Sequence, residues 1–471
     1  MGLLLTEHKV LTYSKIPQGD ALEHTIPLTL LRSFQSKKLF KNQTSCIVLT
    51  ETETEYSLQA DYLIGVDWLI PQKRFIQVVP KLNREVSIVF DEVTNVEADP
   101  ELEQEDKQFQ QRVEGADLFK QEEVDYLRML MIVAGDVYFD SYLGDLFYLD
   151  YDAHPIELQS QQDMLTPLLV VRYLKLVRRI VQKGLKKSYY KEQENLNNKV
   201  RGRILVGQHI KQNVFKNRPT RAYCEYQVFG VDTYENRFLK KVSKFVALYV
   251  DTHSKLFHSS IDEIKNTLNY ISPAFEPVNT EVSSDDLRYA KHNPFYNEYK
   301  EAIKIGKLIL HRFSYNITTA QNIHTVFTSP FWINMPGLFE MYLCAQLRLA
   351  NIDYQKFIKF QFRTYGNSLD ILVTHKEFAM VIDAKYKLKY QRGQVHQDIR
   401  QVSGYARLKK VRRELKIDDN SNEVIECLII YPDLDNGITD FSLANIKARR
   451  QAIPAYHKIY KIGVKVPIIA S

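Results

Sequence analysis

The sequence predicts a multidomain α+β protein with a β-rich N-terminal domain, a helical middle region and a C-terminal α/β domain built on a mixed sheet. Three observations carry this. At 471 residues the chain exceeds one ordinary domain. Its hydrophobic pattern changes from short β-branched runs to a helical period near Glu122. Its last 140 or so residues read helix–strand–strand–helix–strand, the order of a mixed sheet with helices. The expected boundaries are 1–121, 122–311 and 312–471.

In the first ninety residues, Cys46-Ile-Val-Leu, Tyr62-Leu-Ile-Gly-Val and Phe75-Ile-Gln-Val-Val are apolar stretches of strand length between polar turns, as in a small barrel or sandwich. The segment Asp91–Asp125 then carries 13 acids against Lys107, Arg112 and Lys120 and reads as an acidic insertion or flexible loop, with its 91–121 part assigned to the first domain. Beyond it, Leu127, Leu130, Met131 and Ala134 keep helical spacing, and Leu165–Leu185 is a second helix stopped at Gly184. Asp232-Thr-Tyr-Glu-Asn-Arg-Phe-Leu opens a third, running through Tyr249. Pro273, Pro277 and Pro294 mark a linker, and Tyr296–His311 is helical again. In the last part, Asn334 can cap a helix that tolerates Pro336 in its first turn. Strands are expected at Leu369–Thr374, Phe378–Leu388 and Val424–Tyr431, with one basic helix over about Val395–Leu415.

Composition excludes several classes. Cys46, Cys224, Cys344 and Cys427 are far apart, with no CxxC or Cys/His cluster, which argues against a zinc site and fits a reducing, cytoplasmic setting. No apolar run approaches a membrane span. No GxxxxGK[ST] phosphate loop is present, so nucleotide hydrolysis is not expected of this chain. The net charge of +6 is unevenly spread: 15 Lys/Arg against two Glu in 172–221, and 11 Lys/Arg against Asp398 and Glu414 in 385–416. Such stretches suit a phosphate-binding surface, although any single run is as readily a solvated helix face.

The chemistry concentrates in Leu369-Asp370-Ile-Leu-Val and Val381-Ile-Asp383-Ala-Lys385. Residues two apart on a strand share a face, so Asp383 and Lys385 stand together, opposite an apolar face of Ile382, Ala384 and Tyr386. A hairpin brings Asp370 close. Two carboxylates beside a lysine suit a hard divalent cation such as Mg²⁺, with Lys385 orienting a water or offsetting developing phosphorane charge. Taken alone, D-x-K is an ordinary strand-borne salt bridge. Glu340, early in the preceding helix, is a candidate third carboxylate or a helix-dipole partner. Gln401 and Tyr405, i and i+4 on the following helix, would contact DNA or orient Lys385. Arg400, Arg407, Lys409, Lys410, Arg412 and Arg413 are the candidate phosphate contacts.

Asp370…Asp383-Ala-Lys385 with Gln401-x-x-x-Tyr405 resembles the PD-(D/E)XK nuclease superfamily, in its QxxxY-bearing branch, with Leu369 in place of the frequent proline. The wider chain resembles the McrC family, nuclease subunits of McrBC modification-dependent restriction systems. The blocks that carry this are Tyr62-Leu-Ile-Gly…Val79-Pro-Lys81, Gly184-Leu…Tyr189 through Arg201-Gly-Arg203-Ile, Asp232-Thr…Glu235-Asn-Arg237-Phe-Leu, Asn334-Met…Leu338-Phe-Glu340, Asp383-Ala-Lys385-Tyr-Lys and Ile430-Tyr-Pro432. The acidic segment and the 251–295 stretch look like additions. The resemblance implies a Mg²⁺-dependent endodeoxyribonuclease with metal ligands Asp370, Asp383 and Glu340. It implies a partner, a McrB-like AAA+ GTPase ring docked by the N-terminal half, and a double-stranded, methylated DNA substrate. The rival readings are a stand-alone nuclease of the same fold and a non-catalytic DNA-binding adaptor.

Overall fold

The computed structural model describes residues 2–7, 10–14, 38–40, 44–83, 121–150, 152–159, 163–280, 297–313, 325–364, 367–386, 392–418 and 421–469. The acidic insertion over 84–120 lies outside them, as do Lys387 and Leu388 of the expected catalytic strand. The chain forms two compact units, one of 1–158 with 327–471 and one of 159–326. This division differs from the expected boundaries near 121 and 311, because the first unit is assembled from both ends of the chain.

The N-terminal part is β-rich, as its alternation predicts. Strands β1 (Gly2–Thr6), β2 (Val10–Ser14), β3 (Ile47–Glu51), β4 (Glu55–Ala60), β5 (Leu63–Ile70) and β6 (Arg74–Val79) fall into two sheets. β2, β4 and β3 pair in that order, while β1 runs parallel to β6, which is antiparallel to β5. Leu5, Ile47, Tyr56, Leu58, Ile76 and Val78 from both sheets close one core. After the insertion, Asp125 accepts from Arg128 N–H at 2.9 Å and so caps α1 (Tyr126–Gly135). A short strand β7 (Phe147–Leu149) follows.

The second unit is a helical bundle with a β arm. α2 (Leu165–Lys183) is amphipathic and stops at Gly184, whose φ of 89° is a conformation that glycine adopts without strain. Strands β8 (Ser188–Asn197), β9 (Arg203–Ile204) and β10 (Arg221–Gly230) make a three-stranded sheet with a ten-residue antiparallel register from Ser188↔Gly230 to Asn197↔Arg221. The sequence reading assigned no strand here. β8 is mostly exposed, whereas β10 alternates, with Ala222, Cys224 and Tyr226 buried against Leu196. α3 (Tyr234–Thr252), α4 (Ile261–Ile271) and α5 (Asn297–Arg312) complete the bundle against α2. Asp163 and Arg312 form a buried ion pair at 2.7 Å.

The chain then returns to the first unit. β11 (Phe331–Asn334) enters the N-terminal sheet between β5 and β7, giving the order β1-β6-β5-β11-β7. Its Trp332 is buried in the N-terminal core, and the indole N–H donates to Asp67 at 3.1 Å. Asn334 both ends β11 and caps α6 (Met335–Ala350), accepting from Gly337 N–H at 3.1 Å. The predicted cap and first-turn Pro336 are therefore borne out. The six-stranded C-terminal sheet follows: β12 (Ile358–Thr364), β13 (Asn367–Val373), β14 (Met380–Ala384), α7 (Arg392–Ala406), α8 (Lys409–Glu414), β15 (Glu426–Pro432), α9 (Leu443–Arg449), β16 (Gln451–Ala452) and β17 (Ile459–Val464). Strand order is β12-β13-β14-β15-β17-β16, antiparallel at both ends and parallel between β14, β15 and β17, so the expected mixed sheet is present.

Two expectations are corrected. The strand expected to carry Asp383 and Lys385 ends at Ala384 rather than Leu388. The basic helix is two helices, because Arg407 N–H and Leu408 N–H bond back to Gly404 and Tyr405 carbonyls and Leu408 is extended before α8. Among the described residues no helix is long and apolar enough to cross a membrane, and the four cysteines are buried thiols.

The seating of β11 depends on Gly65. A Cβ built there would stand 2.1 Å from the Phe331 carbonyl oxygen and 3.0 Å from Trp332 Cα. Both obstacles are backbone, so the strands must part. Gly65→Ala is expected to destabilise the fold by about 1–3 kcal/mol and to shift Trp332 fluorescence towards that of an exposed indole. Chemical denaturation followed by fluorescence checks both, and an unchanged midpoint and emission maximum would refute the packing argument.

Candidate active site

The candidate residues converge on β13, β14 and the two flanking helices. α6 packs against β12, β13 and β14, and α7 against β14 and β15. The α7 contact is a buried core of Leu369, Val381, Val402, Cys427 and Ile429. Asp383 and Lys385 share the side of Val381 and so meet α7, which makes this a covered face. Asp383 is 1% exposed. Continuing the Ile371↔Ile382 register by one residue sets Asp370 opposite Asp383. Asp370 Oδ2 accepts from Ala384 N–H at 2.8 Å, and Lys385 N–H donates to the Ile430 carbonyl at 2.8 Å. The catalytic-looking residues thus sit where β14 leaves the sheet, anchored on both sides.

Lys385 is the hub. Its Nζ lies 2.9 Å from Asp383 Oδ2 and 3.6 Å from Asp398 Oδ1, and it donates to Gln401 Oε1 at 3.1 Å. Gln401 Nε2 donates to Tyr405 OH at 2.6 Å. The i, i+4 pair on α7 therefore forms a relay from β14 to the helix surface, with Gln401 holding Lys385 directly.

Four carboxyl groups surround this one ammonium. Burial pushes Asp370 well above the carboxylate range, and the charges of Glu340 and Asp383 push it further. Burial raises Asp383, against the pull of Lys385. Glu340 is pushed up to about 7 by burial and by Asp383, against Lys385 and a hydrogen bond from Gln361. Burial lowers Lys385, but Asp383, Asp398 and Asp370 outweigh it and the net direction is up. Burial also raises Tyr405. Negative charge is in excess, and a divalent cation is the natural way to relieve it. Asp383 Oδ2 is buried, and the Lys385 ammonium 2.9 Å away is the charge that faces it. Asp370, Asp383 and Glu340 offer hard oxygens, the donor type that Mg²⁺ takes. Among the described residues, however, no three His, Cys, Asp or Glu side chains are grouped closely enough to hold a metal ion by themselves.

The structure separates the basic candidates. Arg400, Arg407, Lys409 and Arg413 are exposed on α7, the α7–α8 turn and α8. Arg412 instead donates to the carbonyls of Asp418, Ser421 and Glu423, tying the loop after α8. Lys410 Nζ donates to the Arg363 carbonyl at 2.8 Å. In the second unit, Asn236 is fully buried and bonded to the Lys186 and Val231 carbonyls, and Arg237 makes a two-pronged pair with Asp232 at 2.8 and 2.6 Å. Both of these hold structure. Sequence reasoning missed Gln361. It sits mid-strand with no pattern to mark it, yet it has φ 45° and reaches Glu340. A left-handed, non-glycine residue beside such a cluster is where strain is commonly kept.

The fold and site thus define a mixed-sheet α/β unit that gathers buried carboxylates around a lysine at the end of a central strand. Residues 62–415 match the family model described as McrBC 5-methylcytosine restriction system component, and the chain belongs to that family. Two solved structures from Thermococcus gammatolerans are similar over most of their length. One is a half-complex from the tetradecameric assembly of McrB AAA+ hexamers with bound McrC (14% identity, 99% of this chain and 94% of that chain, TM-score 0.35). The other is the McrBC complex (13% identity, 85% and 98%, TM-score 0.28). Likeness at this level is loose, and membership rests on the matched segment. No curated protein matches.

The Glu340 shift has a stability consequence. Its folded value of about 7 exceeds the unfolded 4.3 or so, so the folded state holds the proton more tightly. The associated stability is fully present below about pH 4.3 and is lost as pH rises through about 7. In chelator-containing buffer, Glu340→Gln is expected to be more stable than the parent at pH 8, by about 1–3 kcal/mol, with the gap closing near pH 4. Urea midpoints across this range test it, and a pH-independent gap would place the cause elsewhere.

Proposed function

We propose that this restriction-system component is the Mg²⁺-dependent DNA endonuclease subunit of its system, a nuclease of the PD-(D/E)XK type. The observation that carries the reading is the Asp370–Asp383–Lys385 cluster with Glu340 at its side, a buried excess of carboxylate around one ammonium. A divalent cation bound there would neutralise phosphate charge and acidify a water. The chain's own residues set up the rest. Asp370 and Asp383, with Glu340, would present the oxygens that hold the ion. Lys385, kept protonated by its acidic neighbours, offsets negative charge that builds on the phosphorus oxygens. Gln401 fixes the direction of that ammonium, and Asp398 balances it. Arg400, Arg407, Lys409 and Arg413 hold the DNA backbone. Family membership supports assembly with a McrB-like AAA+ GTPase ring that this chain would dock and stimulate. It likewise supports methylated double-stranded DNA as the substrate.

Two outcomes are expected when the chain is co-purified with its AAA+ partner and given GTP, Mg²⁺ and methylated plasmid. Asp383→Ala and Lys385→Ala each reduce cutting by about a thousandfold or more, while co-purification with the partner is retained. Cutting at the parent rate by either variant at saturating Mg²⁺ would end the assignment. Separately, neutralising Arg400, Arg407 and Lys409 should weaken duplex binding alike across sequences and flatten the log–log salt dependence by about 0.9 per lost contact. A changed sequence preference, or an unchanged slope, would remove those charges from the DNA path.

A further inference from the structure

A second feature adjoins the carboxylates. A cleft of about 1200 Å³ opens in the first unit between the 138–145 segment, the end of α6 and strand β12. Its lining is basic and aromatic. Lys356, Lys359, Arg363 and Lys410 stand on it, against Asp145 and Asp353. Lys410 and Lys359 flank the Phe362 ring, 5.0 and 6.0 Å from its centroid, and Lys359 is also paired with Glu414. Lys356 and Arg363 are exposed. Tyr142 is half-buried, braced edge-on by Phe360 at 5.0 Å between centroids. Gln361 also lines the cleft, and the same side chain hydrogen-bonds Glu340. The cleft therefore runs up to the catalytic carboxylates.

Cations that follow a groove, with an aromatic ring in it, are the means by which proteins hold single-stranded nucleic acid: phosphates on the charges, a base on the ring. The volume lies just above the roughly 300–1,000 Å³ typical of small-molecule sites, enough for a few nucleotides and too little for a duplex. We propose that this cleft binds a short single-stranded DNA segment, with its backbone along Lys356, Arg363 and Lys410 and a base against Tyr142. It would deliver one strand, separated from its complement, to the Gln361–Glu340 end of the active site. The inference takes its ligand from the nuclease reading but is tested apart from it.

The experiment is fluorescence anisotropy on the full chain in chelator, so that no cutting is needed, with a labelled single-stranded DNA of about twelve nucleotides. A duplex and an RNA of the same sequence run alongside. The double variant Lys356→Glu/Arg363→Glu is expected to raise the single-strand Kd at least about tenfold and to flatten the salt slope by about 0.7 per lost contact, with a smaller effect on the duplex. Tyr142→Ala should weaken single-strand binding about fivefold or more, and Tyr142→Phe should restore it. Unchanged single-strand affinity and slope in the double variant would overturn the proposal. So would an equal loss for duplex, or preference of the cleft for RNA. If the parent chain never cuts DNA with its partner and Mg²⁺, yet these variants lose strand binding, the cleft stands and the nuclease reading falls; cutting without any cleft effect gives the reverse.

Discussion

Everything at the candidate site depends on how β11 is held. This four-residue strand lies between β5 and β7, with Trp332 in the N-terminal core and its indole tied to Asp67. Asn334, the last residue of β11, is also the cap of α6. A strand locked in one sheet thus fixes the origin and direction of the helix that carries Glu340 to the other sheet. Without Gly65 the Phe331 backbone could not approach, and the start of α6 would move with it. Further ties join the same two ends of the chain: Asp125 N–H to the Pro467 carbonyl, Ile469 N–H to Glu123, and the buried Tyr386–Glu7 hydrogen bond at 3.0 Å.

The Tyr386–Glu7 contact shows what this construction does for function. Tyr386 follows Lys385 directly, and Glu7 follows the first strand of the N-terminal sheet. Burial raises the Glu7 carboxyl, with the Tyr386 hydrogen bond opposing. The N-terminal sheet therefore touches β14 at its exit and also positions α6 at its start. The β-rich N-terminal segment and the candidate site residues thus belong to one compact unit, so the chain does not divide between them.

The site itself is a balance between burial and charge. Glu340, Asp370 and Asp383 are each pushed towards the neutral form, while Lys385 is held charged. Such crowding costs stability that ordinary packing does not require, and the fold tolerates it at the end of β14, where main-chain bonds to Asp370 and Ile430 keep the strand in place. Gln401 then turns a buried ammonium into an oriented one. On the opposite flank, Gln361 connects Glu340 to the basic cleft, so that the carboxylates sit between two positively charged surfaces.

Local pattern was enough to read much of this from the sequence. Period-2 alternation marked the N-terminal strands, the cap and first-turn proline marked α6, and the two-residue spacing of Asp383 and Lys385 placed both on one face of β14. The i, i+4 spacing of Gln401 and Tyr405 made them neighbours on α7. These are short-range consequences of backbone geometry, and the local order of residues carries them. The β8–β10 arm was harder to read, because β8 is mostly exposed and only the alternation Ala222, Cys224, Tyr226 and Val228 on β10 marks its small core. The break before α8, set by two backward hydrogen bonds at Gly404 and Tyr405, was not legible, nor was the loop-tying role of Arg412. Gln361 had no sequence signal, since its importance comes from an unusual φ and a contact across strands. The largest thing hidden was that residues 331–334 complete a sheet begun at residue 2. Such pairing is specified by complementary surfaces hundreds of residues apart, and only the folded chain brings them together.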